Sequence, residues 1–121
     1  MQQSRFKEIN DTWGHVVGDN ILLEIANLLK SNIRQGDIAG RFGGEEFIVL
    51  LQSADQESSF VLLERLRKKI EGHLFVHQIR VTASFGAAKI DAESQLMSAL
   101  ETADQRLYQA KNNGRNRVCF N

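Results

Sequence analysis

Arg41-Phe42-Gly43-Gly44-Glu45-Glu46-Phe47 joins two short apolar runs, residues 37–42 and 46–51. Two glycines between β-prone runs predict a hairpin with a Gly43-Gly44 loop, because its tight turns need the positive φ that glycine adopts cheaply. Glu45 and Glu46 would then lie at the tip, where a metal ion or a phosphate could reach them and glycine lets a ligand approach the backbone. An acidic, solubilising turn is the alternative, and turn chemistry leaves both open.

The spacing of apolar residues predicts the rest of the fold. The expected order is helix, helix, hairpin, helix, strand, helix, strand, which suggests an α+β sandwich with helices packed on an antiparallel or mixed sheet. Before the hairpin we predict a helical turn from Phe6 to Asp11 and a helix from Val16 or Asp19 to Ile33, with Gly36 after its end. After the hairpin, a capping-box-like stretch 53–56 opens a helix whose inward residues are Phe60, Leu63, Leu66 and Ile70. The remaining predicted segments are a half-buried strand 79–85, a helix from about Ser94 with Leu96 to Ala110 inward, and a strand 117–120.

Composition describes one ordinary soluble domain. The 121 residues contain 42% hydrophobic and 25% charged residues, and 15 basic residues balance 15 acidic ones. No bulk field therefore draws the chain to nucleic acid or a membrane, so an anion site must be local. The sequence has no apolar run near 18 residues. Cys119 is the lone cysteine, which fits a reducing compartment and a cytoplasmic location.

Three further motifs carry candidate binding residues. The first is Phe6-Lys7-x-x-Asn10-Asp11-x-x-Gly14-His15-x-x-Gly18-Asp19-x-x-Leu22, and its alternative interpretation is turn and capping chemistry. The second is Arg34-x-x-Asp37, whose arginine could instead complement a helix C-terminus. The third is Lys111-Asn112-Asn113-Gly114-Arg115-Asn116, two cations around a glycine turn that could clamp a triphosphate, although Lys111 could also serve only the helix dipole.

Together with Gly43-Gly44-Glu45-Glu46-Phe47 and Ser84-Phe85-Gly86, these motifs resemble the GGDEF domains, the diguanylate cyclases of bacterial signalling. The resemblance extends from Phe6 to Val118. It implies a ferredoxin-like, palm-type fold for one GGDEF domain over residues 1–121. It also implies that two GTP molecules condense to cyclic di-GMP with magnesium, in a homodimer, and a sensory domain could lie upstream in a longer parent protein.

The resemblance also assigns roles to single residues. Asn10 and Asp19 would hold the guanine edge, Phe6 and Leu22 would line the base pocket, and Lys7, Lys111 and Arg115 would meet the phosphates. Gly43 and Gly44 would also bind the substrate, which their lack of side chains lets approach the backbone. Glu45 would bind Mg²⁺, Glu46 would be a neighbouring ligand or base, and Arg41 would stabilise phosphate charge. Arg34 and Asp37, with Arg65 as an auxiliary, would bind cyclic di-GMP as an inhibitor, although a solvated helix face remains the better interpretation of Arg65.

One position departs from the family pattern. Where members usually carry a metal-binding aspartate on the first strand, this sequence has Gln2, and residues 1–5 are too short and polar to supply a full strand. We therefore expect the first strand to be largely missing and its neighbours to have unpaired backbone groups. A catalytically inactive receptor for cyclic di-GMP or GTP, or an interaction module, is the alternative function.

Overall fold

A computed structural model describes residues 5–52, 55–91 and 95–120. Its elements follow the predicted order, with one added 3₁₀ turn. They are α1 (Arg5–Trp13), α2 (His15–Asn32), β1 (Ile38–Gly43), β2 (Glu46–Gln52), α3 (Gln56–Gly72), the 3₁₀ turn Val76–Gln78, β3 (Ser84–Ile90), α4 (Leu96–Asn112) and β4 (Val118–Cys119).

The strands form one mixed sheet in the order β1-β2-β3-β4. β1 is antiparallel to β2, and β3 is parallel to both β2 and β4. The α+β class is therefore confirmed. The expectation of unpaired neighbours was wrong: β2 pairs directly with β3 from Glu46↔Ser84 to Gln52↔Ile90. The two strands satisfy each other's backbone groups without an intervening strand.

Helices cover both faces of this sheet, and β2 divides its side chains between them as strand geometry requires. Phe47, Val49 and Leu51 face a cluster that includes residues of α1, α2 and α3, whereas Ile48 and Leu50 face α4. Gly86 permits the close approach of α4, since a Cβ there would lie 2.1 Å from the carbonyl oxygen of Ala103. Burial of each large apolar side chain stabilises such a core by about 1.5–3 kcal/mol.

The predicted strand 79–85 was displaced. Ile79, Val81, Ala83 and Phe85 are buried as the alternation indicated, but the strand that pairs is Ser84–Ile90. Its Gly-Ala-Ala centre is buried on both faces and lacks the β-branched residues that normally mark a strand.

Two helix boundaries also differ from prediction. The N-cap of α3 is Asp55, whose side chain accepts a hydrogen bond from the Ser58 N–H; residues 53 and 54 of the expected capping box lie outside the described residues. α2 already ends at Asn32, so Gly36 belongs to the following turn.

Some apolar side chains were assigned to the wrong side of their helices. Phe60 is 41% exposed and Leu96 is also exposed, whereas Ser59 is fully buried. Because Ser59 directly precedes Phe60, the buried face of α3 lies one position earlier here than the apolar spacing predicted.

Candidate functional site

The tip of the β1–β2 hairpin is one residue further along than predicted. Gly43 still pairs with Glu46 after a register shift, so the turn residues are Gly44, with φ of 31°, and Glu45. The Arg41 Nε donates a hydrogen bond of 3.1 Å to the Gly44 carbonyl. Glu45 is 8% exposed, and its carbonyl accepts a hydrogen bond from the Ser84 N–H. The tip is therefore fixed against β3.

Glu46 lies between two cations from the C-terminal end of the chain. Its carboxylate is 3.3 Å from Lys111 Nζ and 3.4 Å from Arg115 Nη1. We call Glu46, Lys111 and Arg115 the hairpin cluster. It carries one net positive charge at neutral pH, and its three side chains are only partly exposed. Screening by water is weaker there than at the open surface, so the cluster favours an anion.

The loop that presents Arg115 is held in an uncommon backbone conformation. Arg115 and Asn116 have φ of 61° and 47°, which non-glycine residues rarely adopt. The Asn116 N–H donates to Ser84 Oγ at 2.9 Å, and Arg67 Nη1 donates to Asn116 Oδ1 at 2.8 Å. Sequence reasoning missed Arg67. Nothing in its helical spacing marks it, because its partner lies 49 residues away.

Arg67 is also paired on its own helix. Its Nε lies 2.6 Å from Glu64 Oε1. This hydrogen bond is the main reason that the pKa of Arg67 is raised and the pKa of Glu64 is lowered. The cation that holds the loop is thus itself oriented by a carboxylate.

The FKxxND motif forms the short helix α1, with Phe6 buried and Lys7 exposed. Asn10 packs against α2 where the second helix begins. A Cβ on Gly18 would lie 2.0 Å from Asn10 Oδ1, so this glycine makes room for the amide. Asp19 is the next residue and is exposed, which places an amide and a carboxylate beside one helix–helix junction.

A groove of about 440 Å³ lies between α2 and β1. Leu22 lines it from α2, and Arg41 and Phe47 line it from the hairpin. The predicted base-pocket leucine and the predicted phosphate arginine therefore share one depression.

Two of the three predicted inhibitory residues line a second depression. Arg34 and Arg65 line it together with Val61 and Leu62. Asp37 does not line it, because the Asp37 side chain turns inward and is only 2% exposed. One oxygen accepts from the Gln52 N–H at 3.0 Å, and the other accepts from the Arg34 N–H and Nε.

A known protein family matches almost the whole chain. The family described as "Diguanylate cyclase, GGDEF domain" matches residues 1–117. The chain belongs to the GGDEF domain family. Among relatives, it is 45% identical to diguanylate cyclase A of Treponema denticola, over 93% of this chain and 32% of that protein, and 42% identical to diguanylate cyclase DgcP of Pseudomonas aeruginosa, over 93% and 17%. It spans about a third or less of the length of these relatives.

Solved GGDEF domains have the same fold. The active GGEEF domain of a Vibrio cholerae diguanylate cyclase superposes with a TM-score of 0.79 at 37% identity, covering 96% of this chain and 76% of that one. The GGDEF domain of Caulobacter crescentus DgcB, solved with cyclic di-GMP, gives 0.77 at 30% identity, over 95% and 71%.

The described residues offer this GGDEF domain only part of a metal site. Across 5–52, 55–91 and 95–120, no three His, Cys, Asp or Glu side chains group as a cation cage would require. Mg²⁺ commonly uses one or two protein carboxylates and takes its other ligands from water and substrate phosphates. Glu45 at the hairpin tip fits that partial role.

No helix in the described part of the chain is long and apolar enough to cross a bilayer.

Proposed function

We propose that this GGDEF domain is a diguanylate cyclase that condenses two GTP molecules to cyclic di-GMP. The observation that carries the proposal is the hairpin cluster, which brings Lys111 and Arg115 from the end of the chain to Glu46 of the motif. The relatives named as diguanylate cyclases support the same reaction.

Recognition of GTP is divided between two parts of the site. Asn10 and Asp19 offer an amide and a carboxylate to the guanine edge, and Phe6 and Leu22 supply the apolar wall. Lys7 meets the phosphates from α1. Gly43 and Gly44 carry no side chains of their own, so the phosphates can approach the hairpin backbone there.

In the reaction, the 3′-hydroxyl of each GTP attacks the α-phosphate of the other. Each hydroxyl loses its proton and each attack expels one pyrophosphate, so that two phosphodiester bonds close the ring. Lys111 and Arg115 exchange their contact with Glu46 for phosphate oxygens as the triphosphate enters. Glu46 is then available to accept a proton, and Arg41 stabilises the phosphate charge. Glu45 would hold Mg²⁺, which neutralises developing charge and lowers the pKa of the attacking hydroxyl. Two copies must face each other, since each domain holds one GTP.

We further propose that Arg34 and Arg65 bind cyclic di-GMP as an inhibitor, away from the hairpin cluster. Arginine's planar fork suits the O6 and N7 acceptors of guanine. Asp37 contributes by fixing the Arg34 backbone.

A cytoplasmic location remains a prediction.

A non-catalytic receptor is the second candidate, and Gln2 is the observation that favours it. The family pattern has a metal-binding aspartate there. Residue 2 lies outside the described residues.

Calorimetry of the chain with GTP and with cyclic di-GMP, together with a Mg²⁺-dependent turnover assay, separates these functions. A cyclase binds both nucleotides and releases pyrophosphate. A receptor binds at least one of them without turnover. Binding of neither contradicts both proposals and leaves an interaction module.

A further inference from the structure

The loop between α3 and β3 touches the nucleotide-binding helix through a ring stack that no motif indicates. The rings of Trp13, at the end of α1, and His77 lie 4.4 Å apart with an interplanar angle of 10°. Trp13 is still 46% exposed, so it is not a core residue. The stack joins two segments 64 positions apart in sequence.

Two neighbouring residues of this loop have backbones that favour glycine. His77 and Gln78 have φ of 58° and 60°. Such conformations are costly and persist only where the surroundings fix them. Here the Phe75 N–H donates to the Ile79 carbonyl and the Gln78 N–H donates to the Phe75 carbonyl, both at 3.0 Å. The strained turn presents the His77 ring to Trp13.

The loop is anchored in the core and against α2. Phe75 and Ile79 are buried in the main core. His73 packs edge-on against Phe75, and its Nε2 lies 3.4 Å from Glu24 on α2. His77 is therefore carried by a rigid support.

α1, in contrast, depends on such contacts for its position. It has nine residues, and an isolated helix below about 12 residues is marginal in water. Phe6 and Ile9 are its buried residues, and neither lies beyond the middle of the helix. The stack with His77 holds its C-terminal end.

Asn10 is the residue most directly affected by that end. It lies three positions before Trp13, on the same side of the helix. Its carbonyl accepts from the Gly14 N–H at 2.9 Å, and its amide fits against Gly18 of α2. Movement of the end of α1 would therefore shift the Asn10 amide relative to Asp19.

We propose that His77 is a positioning residue for guanine recognition, acting through Trp13 to hold the Asn10 amide. This inference rests on the proposed function, because it assumes that Asn10 binds guanine. It adds a residue from a distant loop to the specificity of the site.

The test measures the dissociation constants of GTP and ATP for His77→Ala, His77→Phe and Leu74→Ala. Loss of an aromatic pair corresponds to about two- to twelvefold. We expect His77→Ala to weaken GTP binding by that factor with ATP binding unchanged, and His77→Phe to restore it. Leu74→Ala is the matched control, since Leu74 is exposed in the same loop.

Fluorescence supplies an independent readout, because Trp13 is the only tryptophan. We expect GTP to change its emission in the unaltered chain and to change it less in His77→Ala. Unchanged GTP affinity in folded His77→Ala overturns the positioning role alone, as does equal weakening for GTP and ATP. Failure of the unaltered chain to bind GTP overturns the proposed substrate and this role together.

Discussion

Two carboxylates at opposite ends of the β1–β2 hairpin are satisfied in different ways. At the tip, Glu46 is paired with the side chains of Lys111 and Arg115. At the base, Asp37 accepts from the backbone N–H groups of Arg34 and Gln52 and is almost fully buried. Side-chain cations can change partners when a ligand arrives, whereas backbone donors cannot. Glu46 is therefore suited to chemistry and Asp37 to holding a turn.

The largest expected effect concerns the tip of the hairpin, where we place the chemistry. Glu45→Gln should lower cyclic di-GMP formation from GTP and Mg²⁺ by about 100-fold or more, since even indirect changes at metal sites cost about 10–100-fold. The measurement is pyrophosphate release, made in the unaltered chain and in a Gln2→Asp background.

Gln2→Asp alone should raise the rate by about tenfold or more if a carboxylate belongs there. Glu101→Gln, at an exposed position of α4, is the control. Equal rates with and without Gln2→Asp, or full activity in Glu45→Gln, would contradict the proposed metal site.

The next effect separates the two members of the Arg34-x-x-Asp37 motif. Arg34→Ala should weaken cyclic di-GMP binding by about ten- to a hundredfold, because a charged hydrogen-bonding partner contributes about 1.5–3 kcal/mol. Calorimetry measures this, with Lys68→Ala of the same helix as Arg65 as the control. Unchanged affinity would place the cyclic di-GMP site elsewhere.

The stability of the hairpin's two ends gives a direct test of the comparison. Asp37→Ala should lower the free energy of unfolding by about 1–3 kcal/mol, because it leaves partly buried N–H donors without an acceptor. Glu46→Ala should lower it by less than about 1 kcal/mol, since a partly exposed ion pair contributes little. Urea unfolding of both variants measures these two losses in the free energy of unfolding. A larger loss for Glu46→Ala would reverse the assignment of roles.

Sequence reasoning succeeded where a signal is local. Gly43-Gly44 gave the hairpin, and the spacing of Ile21, Ile25 and Leu29 gave the buried face of α2. It failed where the partner is distant. The direct pairing of β2 with β3, the inward turn of Asp37 and the Trp13–His77 stack depend on which segments meet in space. No residue pattern within one segment encodes them.

The smallest expected effect concerns the support of Arg115, where Arg67 links α3 to Asn116. Arg67 is largely buried and contacts both Glu64 at 2.6 Å and Glu71 at 3.7 Å. Glu71 partly replaces Glu64 if the latter is lost. Glu64→Gln should therefore cost less than about 1 kcal/mol at neutral pH.

The pH dependence of the Glu64→Gln effect on the free energy of unfolding distinguishes an ion pair with Arg67 from simple packing. The hydrogen bond from Arg67 lowers the pKa of Glu64 in the folded chain below its unfolded value of about 4.3. The stabilisation is thus complete above about pH 5 and is lost as the pH falls through the folded pKa. The difference in unfolding free energy between the unaltered chain and Glu64→Gln should be constant from neutral pH down to about pH 5 and shrink below it. Urea unfolding across that range measures this difference, with Glu101→Gln at an exposed position of α4 as the control. A difference that stays the same at low pH would mean that Glu64 acts through packing, and that Arg67 holds Asn116 without its help.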